Sequence, residues 1–311
     1  MTDHKKPHSQ LLASLLKGTR RRLSSLEEKV AGLEIANSPV SRERSEDLTA
    51  QMRREARACF VLSTGRTGTM SLTALLDASP LVEAHHEPEP RLIASSYLAW
   101  REGWKDRAFW LEALAVARDP LVLAAHKRGK VYFESNNRMT LLAPILAELY
   151  PQSRFLLVCR KPLPFVRSAM RRGYFCGHPW DHARVRPRPE DDAAESWSKL
   201  PTEEQCTWLW HETNSFGLEF LETLAPGRGQ VLQAEDLFSG NLDRLEEVMR
   251  FIGLDELPSR RTLRSLLEGR LNQQKGEHPH GREPAWDTTR QHDAMQPLLP
   301  LLERLGYTEV D

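Results

Sequence analysis

Residues 58–80 read ACFVLSTGRTGTMSLTALLDASP, and this stretch decides the fold. Cys59, Phe60, Val61 and Leu62 form a short apolar run bounded by turn formers, the pattern of a fully buried strand. From Met70 the apolar residues fall at Met70, Leu72, Leu75 and Leu76, which is a helical stripe. Between them lies Ser63-Thr64-Gly65-Arg66-Thr67-Gly68-Thr69. Two glycines let the backbone turn tightly, so that free N–H groups converge at a helix N-terminus, a concavity suited to phosphate. An ordinary strand-to-helix connection is the plainer alternative. A nucleotide-triphosphatase loop needs a lysine after its second glycine; here Thr69 follows Gly68, and the one cation, Arg66, comes earlier.

Residues 153–172, SRFLLVCRKPLPFVRSAMRR, repeat the strand-turn-helix logic. Phe155 to Val158 predict a second buried strand, and Pro162 suits the first turn of a helix, where its missing N–H is no loss. Arg160 stands at the strand's carboxyl end and Ser168 eight residues on. In open parallel sheets ligands bind outside the carboxyl ends of the strands, so an arginine and a hydroxyl there predict a second anion site. A solvated cationic helix start, given Arg167, Arg171 and Arg172, is the other reading.

Together the two segments resemble the sulfotransferases that use 3′-phosphoadenosine 5′-phosphosulfate (PAPS), in the branch with an arginine in the first loop. That branch includes tyrosylprotein and carbohydrate sulfotransferases. The likeness extends through 231–254 and to Gln273, Gln274, Trp286 and Leu305-Gly306-Tyr307, about residues 56–308 in all. It implies a three-layer, P-loop-like α/β fold with a central, mostly parallel sheet flanked by helices. Strands are expected near 58–63, 81–84, 130–134, 154–159 and 230–233.

The resemblance also implies an activity, transfer of a sulfuryl group from PAPS to a hydroxyl or amine of a carbohydrate, glycolipid or small molecule, with no metal required. The implied donor-binding residues are Thr64, Gly65, Arg66, Thr67, Gly68, Thr69, Met70 and Ser71 in the first loop, with Arg160 and Ser168. Lys275 and Arg282 lie in a late basic loop that would close over the nucleotide. Arg66 would oppose charge on the departing phosphate, and the Thr67 and Thr69 hydroxyls would help to cradle it. The branch's base is a glutamate twenty-one residues after the loop arginine, the distance from Arg66 to Glu87. His85 and His86 remain alternatives, because histidine titrates near neutrality, and a polar loop without catalytic part is a third reading. Where relatives often carry a leaving-group lysine this chain has Asn136, Asn137 and Arg138. Arg138, Lys127 or Lys130 would take the role, or Arg66 acts alone. Glu134 faces the acceptor or is an ordinary strand-end carboxylate.

Two further readings compete, one a different enzyme and one not an enzyme. A P-loop kinase-like phosphotransferase predicts triphosphate and magnesium dependence; a non-catalytic nucleotide-binding or scaffold protein predicts binding without turnover. Composition does not choose among them. The 311 residues carry 43 basic and 43 acidic side chains, so no bulk attraction to nucleic acid or membrane is expected and any anion site is locally basic. Four cysteines without paired spacing suit a reducing cytoplasm. No apolar run reaches the roughly 18 residues of a membrane span, and no signal peptide is read at the start. The expectation is a cytoplasmic enzyme.

Residues 1–55 are expected to form a helical extension of the catalytic domain at 56–311. Its leucine-rich first helix, to about residue 36, is read as packing on that domain or as a homodimer contact, with a second polar helix running to about Arg57. Residues 173–206 read as a long lid-like loop with a helix beginning near Pro189; its Tyr174, Phe175, Trp180 and Trp197 are candidate acceptor contacts. Cys176, His178 and His182 lack a fourth metal ligand at regular spacing, which favours a structural loop. A core helix is expected at about 203–224. Glu235 and Asp236 are expected to cap the helix that follows them and to brace the sheet.

Overall fold

Five strands, β1 (Ala58–Leu62), β2 (Val82–His86), β3 (Val131–Ser135), β4 (Arg154–Cys159) and β5 (Gly229–Gln233), form one sheet in the order β2-β3-β1-β4-β5. Every neighbouring pair is parallel. The molecule is described from a computed structural model, which covers residues 42–271 and 281–307. The first helix of the extension, Gln273, Gln274 and Lys275 lie outside the described residues, and so does the expected dimer contact.

The helices are α1 (Arg42–Glu55), α2 (Thr69–Leu76), α3 (Ser95–Arg101), α4 (Arg107–Lys127), α5 (Ala143–Leu149) and α6 (Pro162–Arg171). They continue with α7 (Thr202–Glu222), α8 (Ala234–Phe238), α9 (Leu242–Phe251), α10 (Arg260–Leu271), α11 (Thr288–Met295) and α12 (Leu299–Arg304). The chain divides into two compact units, residues 1–50 and 51–311. The whole sheet lies in the second unit.

Strand alternation builds the three layers. In β1, Phe60 and Leu62 enter one core with Tyr132, Phe155 and Leu157, beneath α4 to α7. Cys59 and Val61 enter the other with Phe133, Leu156 and Val158, against α2, α9 and α10. Both faces being covered, all five β1 residues are buried, which is why that strand reads as an unbroken apolar run. Phe60 anchors the first core through ring contacts to Tyr132, Tyr150 and Phe155 at 6.0, 5.8 and 5.9 Å, each adding about 0.5–1.5 kcal/mol beyond its buried area.

Four sequence expectations change. β2 continues to His86, because His85 and His86 pair with Glu134 and Ser135 of β3; the histidines are strand residues, not loop residues. No helix begins near Pro189. There Asp191 accepts the Arg188 backbone N–H and its guanidinium, a local turn that competes with helix, and α7 starts only after Pro201. The helix after the Glu235-Asp236 pair is capped by Asn241, whose side chain accepts from Arg244 N at 3.1 Å. Glu235 does brace the sheet end as expected, accepting from Lys161 N at 3.0 Å and Tyr307 Oη at 2.8 Å. Lys127 and Lys130 precede β3 and so stand at its amino end, about 15 Å of strand from the carboxyl ends; neither is a leaving-group candidate.

Candidate active site at the carboxyl ends of the strands

The first loop leaves β1 at Ser63 and is pinned there. Ser63 N donates to Thr140 Oγ1 and Thr140 Oγ1 to Ser63 O, both at 3.0 Å. Gly65, Arg66 and Gly68 follow with φ of 74°, 59° and 79°, left-handed values that explain the two glycines and mark Arg66 as a residue held against preference. A Cβ on Gly65 would also lie 3.2 Å from Asn137 Nδ2 and 3.3 Å from Tyr174 Oη. Thr67, expected to offer its hydroxyl to a phosphate, is fully buried, and its Oγ1 has no partner among the described residues. Met70 is exposed at the start of α2.

The second motif meets the first. β4 is the hydrogen-bonded neighbour of β1, so Arg160 emerges beside the loop and its Nη1 donates to Arg66 O at 3.1 Å. Arg66 Nε in turn donates to Ser168 Oγ on α6 at 3.1 Å. Burial lowers the pKa of both arginines, and the neighbouring guanidinium adds to it: Arg172 beside Arg66, Arg66 beside Arg160. Arg66 has no carboxylate partner among the described residues. A half-buried cation left that way is costly until an anion arrives.

Across β1 from Arg160, the ends of β2 and β3 face a cavity of about 360 Å³ that also touches Thr64, Arg66 and Met70. Successive strand residues point to opposite faces, and so His85 turns to Tyr132, with ring centres 5.3 Å apart, and to Glu83. His86 takes the other face and lines the cavity. Glu87 would be expected to turn away again, but its φ of 48° swings it back to the same cavity. There Glu87 Oε2 accepts from Arg138 Nη1 at 2.5 Å, while Oε1 makes no hydrogen bond among the described residues. His86 Nδ1 contacts Ser135 Oγ at 2.7 Å; partial burial of the ring lowers its pKa, which favours the neutral form.

Of the loop aromatics, Tyr174 and Trp180 line the cavity, while Phe175 and Trp197 pack on each other at 5.3 Å. Arg172 and Arg184 also reach its wall. Arg184 stacks 3.4 Å over the Tyr174 ring and is held by Asp181 Oδ1 at 3.0 Å. Asp181 organises this loop by accepting from the backbone N–H groups of Phe175, Gly177 and His178. His178 and His182 are spent on local backbone contacts, and no metal-ligating cluster occurs among the described residues.

Glu134 belongs to the core, not to the cavity. It is 1% exposed and takes two hydrogen bonds from Arg118, which is 0% exposed, at 2.7 and 2.9 Å. The Asp181 hub and this pair were missed by sequence reasoning. For the pair the only signal is Arg118 inside the largely apolar stretch LAVARDPLVLAA, and Asp181, in a polar loop, carries none.

Fold and site together define an α/β protein with an all-parallel sheet, a glycine-containing loop after β1 that meets Arg160 and Ser168, and an arginine-lined cavity at the carboxyl strand ends. No family model matches the sequence, and no curated protein matches it. Solved structures with a similar fold include a sulfotransferase from Alicyclobacillus acidocaldarius, 14% identical over 79% of this chain and 93% of that one, with a TM-score of 0.48. The sulfotransferase domain of the curacin biosynthetic pathway is 13% identical over 83% of this chain and all (100%) of its own, at 0.48. That of the Synechococcus PCC 7002 olefin synthase is 14% identical over 82% and 97%, also at 0.48. At these values the likeness assigns neither family nor activity. Among the described residues no helix is long and apolar enough to cross a membrane.

Proposed function

We propose that the protein is a PAPS-dependent sulfotransferase. The observation that carries this reading is the convergence of Arg66, Arg160 and Ser168. Residues from two strand-turn-helix units, about a hundred positions apart, meet through two 3.1 Å hydrogen bonds, and Arg66 lacks a carboxylate partner among the described residues. A nucleotide bearing two separate anionic groups satisfies that arrangement. The kinase reading finds no support, because Thr69 stands where the triphosphate lysine would be.

The donor supplies a sulfuryl group whose S–O bond to the 5′-phosphate breaks as the acceptor oxygen bonds to sulfur. This chain's residues position and compensate charge. The loop N–H groups and Arg66 take the charge that develops on the departing phosphate. Arg160 and Ser168 hold the nucleotide's second phosphate. Glu87 Oε1, without a hydrogen bond among the described residues, takes the acceptor's proton, while Arg138 fixes the carboxylate through Oε2. Arg138 thereby serves Glu87, and Arg66 is left as the cation for the leaving group.

Calorimetric titration with adenosine 3′,5′-bisphosphate beside ATP–magnesium tests the reading. Binding of the bisphosphate that is lost in Arg160→Ala and not matched by ATP is expected. Preference for ATP–magnesium, or binding of neither, overturns it.

A further inference from the structure

A hydroxyl chain runs from the phosphate-loop helix to His86. Register pairs His86 with Ser135, and alternation puts both on the sheet face covered by α2, which carries Thr73. Thr73 Oγ1 lies 2.9 Å from Thr69 O and 2.6 Å from Ser135 Oγ, which lies 2.7 Å from His86 Nδ1. Ser135 is 0% exposed and Thr73 6% exposed, so water does not substitute for a missing bond.

Counting protons orients the chain. A carbonyl oxygen only accepts, so the single Thr73 hydroxyl proton goes to Thr69 O. Thr73 Oγ1 is then an acceptor, and Ser135 spends its one proton on it. The longer Ser135 approach to Thr69 O, 3.5 Å, directs that proton the same way. Ser135 has nothing left to give His86, and their contact therefore requires a proton on Nδ1. The opposite orientation, Thr73 to Ser135 to His86, makes two bonds where this one makes three, and an unmade bond among buried groups is penalised.

We propose that Thr73 and Ser135 are positioning residues that fix the neutral His86 ring as its Nδ1–H tautomer and leave Nε2 as a hydrogen-bond acceptor at the cavity, beside Glu87. Nε2 has no partner among the described residues. One consequence rests on the sulfotransferase reading: Glu87 Oε1 and His86 Nε2 are adjacent acceptors, which suits a substrate presenting two hydroxyl or amine donors. The tautomer itself does not depend on that reading.

The experiment is nitrogen-15 NMR of the full chain with labelled histidine at ~pH 8, above the ordinary histidine pKa, with His86→Gln assigning the ring's signals. The expected spectrum has a protonated-type Nδ1 and an unprotonated-type Nε2. Thr73→Val, which frees the Ser135 proton, is expected to raise the Nε2–H population, and Thr73→Ser to restore the original pattern. An Nε2–H ring in the unaltered protein overturns the proposal, and so does a folded Thr73→Val protein with an unchanged ring. Neither nucleotide nor acceptor is needed, so a failed bisphosphate titration leaves this test intact, and the reverse holds as well.

Discussion

Removing one partner of the Arg118–Glu134 pair should destabilise the protein more than any single change at the cavity. Both side chains are essentially inaccessible, at 0% and 1%. Arg118→Met leaves a buried carboxylate with two remaining donors, Tyr132 Oη at 2.8 Å and Asn136 Nδ2 at 3.2 Å. Breaking a buried pair from one side costs about 3–5 kcal/mol. At about 2–4 °C per kcal/mol for a domain near this size, the midpoint should fall by roughly 6–20 °C. Glu134→Leu should cost a similar amount by stranding the guanidinium. The double variant removes both charges and should lose clearly less than the two singles added, with a coupling of about 1–3 kcal/mol. It should not recover fully, because Tyr132, Asn136 and the Pro90 carbonyl, which accepts from Arg118 Nη1, lose partners. Thermal melts followed by circular dichroism, with urea titrations for the slope, supply the numbers. Strict additivity, or a single-variant loss below about 1 kcal/mol, would refute the reasoning from burial.

Four other outcomes are expected. Glu87→Gln keeps an oxygen for Arg138 but cannot take a proton, so sulfuryl transfer should fall by about 10²–10⁴ with bisphosphate affinity unchanged; undiminished turnover would remove Glu87 as the base. Gly65→Ala, at φ 74° and against Asn137, should cost about 1–2 kcal/mol and weaken bisphosphate binding, as calorimetry would report. Asp181→Ala should expose the 173–186 segment, so that trypsin cuts after Arg184 roughly tenfold faster, a rate set by the local opening equilibrium. His86 and His211 both have pKa values lowered by burial from 6.5. The unfolded chain therefore binds protons first, and stability present above pH 6.5 is lost as pH falls toward the folded values. Melts across that range should show the slope, and His86→Gln/His211→Gln should flatten it.

The sheet was readable because parallel strands covered on both faces must be apolar throughout. Phe60 and Leu157 announce their strands without any alternation to interpret. β2 was shortened by the same logic, since His85 and His86 look like loop residues until register with β3 is known. That both motifs stand at the carboxyl ends of neighbouring strands followed from the rule for strand ends, whereas the direct contacts of Arg66 with Arg160 and Ser168 did not. What stayed hidden are side-chain partnerships between distant segments. Nothing near Glu134 in the sequence points to Arg118, and nothing near Glu87 reveals that a left-handed backbone turns it toward Arg138. Asp181 looks like any polar loop residue until three amides converge on it.

The strand order has a consequence of its own. β1 occupies the middle position, with β4 and β5 to one side and β3 and β2 to the other. On the proposed reading, everything that handles the nucleotide's second phosphate issues from the β4 side, and the groups awaiting the acceptor, His86, Glu87 and Arg138, issue from the β2 and β3 side. The phosphate loop is the partition between two compartments of inheritance. A lineage could rewrite the β2 and β3 ends, and the aromatic loop above them, to accept a new molecule while leaving the donor's half untouched. Exchange of the 85–97 and 136–141 segments between two such enzymes is thus the natural cut for moving acceptor preference from one chain to another.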